Sequence, residues 1–281
     1  MPKEKIKEAV EFFTLDKESC TSCGACTSEC PIQIIKMDSG MPSIVEGGEK
    51  ACINCGHCVT VCPTEAISLG AMPVGECEEL RQLWRIPPEK MSQFLKGRRS
   101  IRTYDGRSVD KAQIERLIDI ARYAPSGINR QPVNWAVIYD PENVKKLSGL
   151  VVEWMRSMVS EKSPIAESLR LERIVKAWDE GRDLVSRGAP HLIISYGLKD
   201  DPIAPQACTI ALTYLELAAL SMDMGTCWAG YVSMAVNMSA EVRKAAGLSS
   251  KASSFGAMML GYPKFEYYSI PVRNKPHIIW R

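Results

Sequence analysis

Three apolar runs in the last two thirds of the chain read as buried strands: WAVIY (135–139), HLIISYG (191–197) and ASSFGAMMLGYP (252–263). Short apolar runs of this kind suit buried strands. Ahead of the first, SVDKAQIERLIDIARYA sets Ile114, Leu117, Ile118 and Ala121 at helical spacing, with Asp110 placed to cap. Between the second and third strands, residues 209–221 form a long apolar helix that is either monomer core or subunit interface. It carries Glu216 and falls short of the roughly 20 uninterrupted apolar residues a membrane span needs. Strands alternating with helices over this length predict an α+β class domain with a mixed central sheet flanked by helices. The charged, Met-containing stretch 152–187 reads as a lid or helical insertion.

The first third follows a different rule. Cys20, Cys23, Cys26 and Cys30 recur 32 positions later as Cys52, Cys55, Cys58 and Cys62, and Pro31 and Pro63 follow the last of each set. Short apolar runs, IQIIKM and EAISL, come next and suit strands that cover a metal site. Each set is C-x2-C-x2-C-x3-C-P, the run of bacterial two-cluster ferredoxins, whose fourth cysteine ligates the other cluster. One [4Fe–4S] cluster is therefore expected on Cys20, Cys23, Cys26 and Cys62, and a second on Cys52, Cys55, Cys58 and Cys30. Structural zinc would need two C-x2-C pairs, not two proline-ended quartets. His57 reads as a loop residue. The expected boundaries are a ferredoxin-like domain at 1–72, a proline-containing linker at 73–88 with a short helical turn at 80–84, and a second domain at 89–281.

Charge and composition narrow the function. With 35 basic and 33 acidic residues and no long basic run, nucleic acid is not an expected partner. The opening residues mix both charge signs and contain no apolar core of signal-peptide length, so a cytoplasmic protein without membrane attachment is expected. No G-x-G-x-x-G follows a strand and no G-x-x-x-x-G-K-[ST] occurs, which argues against a dinucleotide fold and a P-loop. Cys77, Cys208 and Cys227 lie outside the quartets, the latter two as buried thiols, and no nucleophile–base pair stands out.

Four segments carry a resemblance: RRSIR (98–102), PSGINRQP (125–132), GTCWAGY (225–231) and the closing IPVRNKPHIIW. In this order and spacing, over about residues 88–281, the chain resembles the nitroreductase family, in the subgroup with an N-terminal ferredoxin module. Three arginines and a serine in five positions also suit a phosphate on their own terms. The resemblance implies an FMN-dependent homodimer of nitroreductase-like α/β fold whose flavin carries the chemistry, with no catalytic side chain. It implies that Arg98 and Ser100, beside Arg99, hold the FMN phosphate with help from Arg273, Lys275 being weaker. Arg102 and Asn129 would approach the pyrimidine edge, where a cation raises the flavin potential. The segment with Pro125, Ser126, Asn129 and Gln131 would reach the neighbouring subunit's flavin, and Ala229 and Gly230 would let backbone pass close to the ring.

The expected activity passes electrons from reduced ferredoxin or a similar donor through the clusters and FMN to an electron-poor acceptor, nitroaromatic or quinone-like. Two alternatives stand beside it. One is an NAD(P)H-oxidising flavoprotein exporting electrons through its clusters; the other is an electron carrier or redox sensor without a small substrate.

Overall fold

The structure is a computed structural model that describes residues 11–281. The stretch read for a signal peptide lies partly at 1–10, outside the described residues. By its internal contacts the chain divides into two units, one comprising residues up to Arg85 with Ile128–Arg130, the other Ile86–Gly127 with Gln131–Arg281.

The first unit runs β1 (Phe13–Leu15), α1 (Ala25–Glu29), β2 (Ile35–Asp38), β3 (Met41–Ile44), α2 (Gly48–Ala51), α3 (His57–Thr60) and β4 (Ile67–Leu69). The run IQIIKM becomes β2 and EAISL becomes β4. They pair with different partners, β2 with β3 and β1 with β4, both antiparallel. The 32-residue repeat is written into the backbone as well. Ser22, Gly24 and Gln33 have φ of 55°, 73° and 58°, and their counterparts Asn54, Gly56 and Glu65 have 49°, 76° and 56°. Gly24 and Gly56 stand at the left-handed turns that launch α1 and α3, where any side chain would be strained. The core is small: Ile34, Ile35, Val59, Ile67 and Leu69 close around Cys26 and Cys58. The helical turn expected at 80–84 is a 3-10 turn at Gln82–Trp84, exposed at Leu83 and Trp84.

The second unit runs α4 (Pro88–Gly97), α5 (Lys111–Ala121), β5 (Asn134–Ile138), α6 (Pro141–Ser160), α7 (Pro164–Ser168), α8 (Leu171–Asp179), β6 (His191–Leu198), α9 (Ala204–Ser221), β7 (Gly225–Trp228), α10 (Gly230–Met238), α11 (Ala240–Ala245) and β8 (Ala252–Gly261). The strands order as β5-β6-β8-β7. The sheet expected to be mixed is antiparallel at every pairing between described strands. The helical crossover through α9 does join two parallel strands, β6 and β7, but β8 inserts between them and pairs antiparallel with both.

Side chains alternate across the two central strands, so both faces are covered. Leu192, Ile194, Ala257 and Met259 face a core built with α6, α8 and α10. Ile193, Met258 and Leu260 face the other, built with α5 and α9. Burial on both faces explains why β6 and β8 read as continuous apolar runs. The stretch 152–187, expected as a lid or insertion, supplies core instead: α6 buries Val152, Trp154 and Met155, and α8 buries Leu171, Ile174 and Val175. Helix α9 likewise buries Leu212, Leu215 and Ala219 in its own unit. Asp110 stands at the cap of α5, but its main-chain carbonyl, not its carboxylate, receives the first helical N–H groups. Among the described residues no helix is long and apolar enough to cross a membrane.

Candidate functional site: two thiol-lined cavities and an arginine-rich segment

Two cavities open in the first unit, and the repeat decides their walls. One is lined by Cys20, Cys23, Cys26 and Cys62, the other by Cys52, Cys55, Cys58 and Cys30. These are the two crossed quartets expected from the spacing. Each first, second and third cysteine comes from one left-handed loop, and the fourth crosses from the other half of the repeat. Among the described residues, no three Cys, His or acidic side chains converge on a single ion. The thiols surround a space rather than a point, which suits a cluster of several irons better than one zinc.

Main-chain N–H groups already face the sulfurs, from Ala66 to Cys62 Sγ at 3.3 Å and from Asn54 to Cys52 Sγ at 3.4 Å. Such donors stabilise thiolate and reduced cluster alike. Burial pushes the Cys58 thiol up to about 11 and raises Cys26 as well. Both are protonated at neutral pH in the metal-free chain, so ligation has to displace their protons.

In the second unit, RRSIR follows the C-terminus of α4 and is tethered to β7. The Ile101 N–H donates to the Thr226 carbonyl at 2.8 Å. A Cβ at Gly225 would fall 2.6–2.8 Å from Ile101 side-chain atoms, so glycine permits the approach. Arg98 Nη1 lies 3.1 Å from Glu216 Oε1 of α9, with side chains 27% and 7% exposed, and the Thr226 hydroxyl donates to the same oxygen at 3.4 Å. Arg102 donates to the Ser100 carbonyl at 3.3 Å. Among the described residues, Arg99 has no hydrogen bond or ion pair. Buried Cys227 lies in the field of Arg102, Arg187 and Arg98, yet burial dominates and raises its pKa. It is an inert thiol. Apart from Glu216, no carboxylate pairs with these guanidiniums among the described residues, a donor set that fits a phosphate.

The other expected contacts fall in separate places. Ser126 Oγ accepts the Gln131 N–H at 2.9 Å, closing the turn after Pro125. Inside it, Ile128, Asn129 and Gln131 all have positive φ, 46°, 53° and 47°, a local cost of roughly 1–3 kcal/mol each. The Asn129 amide is occupied within the first unit, donating to the carbonyls of Ile53 at 3.2 Å and Asn54 at 2.8 Å. The buried Ala229 donates its N–H to the Ala257 carbonyl at 2.8 Å. At Gly230, which opens α10, an added Cβ would meet nothing within 4 Å. Arg273 and Lys275 lie on the exposed irregular segment that closes the chain. The sequence reading missed Glu216 as a partner of Arg98 and gave no signal for Arg187. A lone carboxylate in an apolar helix is the mark by which Glu216 was legible.

Residues 95–262 match the family model described as the nitroreductase family, and residues 11–68 match that of a 4Fe-4S dicluster domain. A relative from Archaeoglobus fulgidus, named for NADH dehydrogenase/NAD(P)H nitroreductase, is 27% identical over 203 residues, 69% of this chain and 98% of its own. A solved nitroreductase with bound FMN from Bacteroides fragilis superposes with TM-score 0.56 at 20% identity, covering 68% of this chain and 99% of its own. One from Desulfitobacterium hafniense, also with bound FMN, gives 0.55 at 20% identity over 67% of this chain and 96% of its own. At such identity these two bear on fold alone. With its strand order, its arginine segment on β7 and a family match across most of the second unit, the chain belongs to the nitroreductase family of oxidoreductases, and a dicluster [4Fe–4S] domain precedes that fold in the same polypeptide.

Proposed function

We propose that this chain is an FMN-dependent oxidoreductase that passes electrons between its two [4Fe–4S] clusters and FMN to reduce an electron-poor organic acceptor, nitroaromatic or quinone-like. The observation that carries the reading is that two four-thiol cavities and a nitroreductase fold with an arginine-rich, anion-poor segment share one polypeptide. FMN, when bound, supplies the exchange between one-electron and two-electron chemistry. Arg98, Arg99 and Ser100 hold its phosphate, joined by Arg273. Arg102 brings positive charge to the ring edge, and the Ala229–Gly230 step leaves space beside it. Reduced ferredoxin or a similar protein donates the electrons, in the cytoplasm. The chain acts as a homodimer in which the Pro125–Gln131 turn serves the neighbouring flavin.

A second reading is favoured by the name of the Archaeoglobus relative: NAD(P)H reduces the flavin and the clusters export the electrons. Anaerobic stopped-flow spectroscopy with NADH, NADPH and reduced ferredoxin as donors separates the two. Ferredoxin-driven bleaching of the iron–sulfur absorbance ahead of the flavin, followed by turnover of a nitroaromatic, is the expected result. Fast flavin reduction by a nicotinamide ahead of the clusters would transfer the assignment to the second reading. Cluster cycling without turnover of any small acceptor would leave an electron carrier.

A further inference from the structure

The two cavities come from one repeat but do not have the same walls. At positions 32 residues apart, Thr21 lines the Cys20 cavity where Ile53 lines the Cys52 cavity. The residue two places after the crossing cysteine differs in the same sense: Thr64 lines the first cavity and Ile32 the second. Thr64 Oγ1 is 3.7 Å from Cys62 Sγ. A ligated thiolate has no proton, so the hydroxyl is the donor in that contact. Cys23 is exposed, whereas none of Cys30, Cys52, Cys55 and Cys58 is. Ile34, Ile35, Ile44 and Leu69 complete an apolar wall on the second cavity. Among its lining residues His57 is the polar side chain; it is exposed to solvent and that side chain makes no hydrogen bond among the described residues, while outside the lining the Asn54 amide oxygen lies 3.8 Å from Cys52 Sγ.

From these walls we infer that the two cluster sites have different reduction potentials: the site of Cys20, Cys23, Cys26 and Cys62 is the more positive, and the site of Cys52, Cys55, Cys58 and Cys30 the more negative. Each reduction takes one electron from an external one-electron donor and adds one negative charge, with no bond made or broken. Hydroxyl dipoles and nearby water stabilise that charge, and an isoleucine sheath does not. The first electron to enter therefore rests on the Thr21 and Thr64 side, and the second is held at lower potential. Thr21, Thr64, Ile32 and Ile53 are positioning residues for this order, not catalytic ones.

The inference rests on both clusters being present, and the test keeps the two questions apart. Full-chain protein, loaded anaerobically, is titrated with dithionite and redox mediators and followed by electron paramagnetic resonance. Mutual repulsion splits even two identical sites, so the assignment comes from variants that equalise the walls. Thr21→Ile with Thr64→Ile is expected to lower the more positive wave by a factor of ten in its equilibrium constant, 59 mV for one electron, and to leave the more negative wave in place. Movement of the more negative wave instead, or of neither, overturns the inference. Should that variant load a single cluster, Ile32→Thr with Ile53→Thr decides: the more negative wave rises by a similar amount, or the inference fails. Absence of one cluster signal from the unmodified protein would sink the dicluster assignment itself.

Discussion

The Arg98–Glu216 pair makes an asymmetric prediction. Glu216 sits on α9 among Leu212, Leu215 and Ala219, its side chain 7% exposed, while Arg98 keeps 27% of its side chain in contact with solvent. Removing one partner from a fully buried pair costs about 3–5 kcal/mol, because the charge left behind has no compensation. Arg98→Met strands the buried carboxylate, and the Thr226 hydroxyl alone, at 3.4 Å, does not replace a guanidinium. Water entering by the route that exposes Arg98 lowers the penalty, so about 2–3 kcal/mol is expected. Glu216→Leu strands a guanidinium that can turn toward solvent, and about 1 kcal/mol or less is expected. The double variant, which puts two apolar side chains in contact, should lie near the unmodified protein, because an apolar replacement of a buried pair is often neutral or stabilising.

The measurement is amide hydrogen exchange across α9 in increasing urea. It reports this unit separately from the cluster unit, since a chain with metal clusters does not unfold in one step. It is made on flavin-free protein so that loss of FMN affinity does not add to the difference. Equal losses for the two single variants, or a double variant as weak as the sum of both, would refute the reasoning.

Four further outcomes follow from the same geometry. Gly225→Ala drives a Cβ to 2.6–2.8 Å from Ile101; overpacking of about 1–3 kcal/mol should push RRSIR off β7, and flavin retention on gel filtration should fall at least tenfold. Buried His191 receives the Val109 N–H at 2.8 Å and meets the Tyr139 carbonyl at 2.6 Å, and burial lowers its pKa. The unfolded chain thus binds a proton before the folded one, so stability is full above about pH 6.5 and declines below it by at most about 1.4 kcal/mol per pH unit. His191→Gln should flatten that part of the denaturation profile between pH 7 and 5. Stripping iron anaerobically with a chelator should abolish exchange protection of β1 to β4, whose core closes around Cys26 and Cys58, while β6 and β8 stay protected; equal loss in both units would contradict the division. If Arg102 sits at the flavin edge, Arg102→Ala should lower the two-electron potential, about 30 mV for each 1.4 kcal/mol of lost stabilisation, and an FMN-loaded variant with unchanged potential would remove that role.

The cysteine repeat was readable because ligand spacing is a local property. A cysteine at every third position, a glycine before each short helix and a trailing proline set the loop conformation within a dozen residues, and the structure brings the thiols of each crossed set around one cavity. Strands β6 and β8 were readable for a related reason: burial on both faces leaves continuous apolar runs. The RRSIR segment was visible as chemistry, though not as an element of the fold.

Other features depended on where distant segments meet. Nothing local distinguishes GTCW as an edge strand, since β7 exists through its pairing with β8. Stretch 152–187 looked insertional because its charges are conspicuous, yet its apolar stripes meet the sheet face and form core. The partnership of Arg98 with Glu216 spans 118 positions, and no periodicity reaches that far. The unlike walls of the two cavities begin as differences within the repeat, Thr21 against Ile53 and Thr64 against Ile32, and folding adds Ile35, Ile44 and Leu69 of β2, β3 and β4 to the second cavity. The candidate ligands were inscribed in the spacing of neighbouring residues; the environment of each thiol arose only when the chain closed on itself, because burial and dielectric belong to the packed assembly and not to any segment of it.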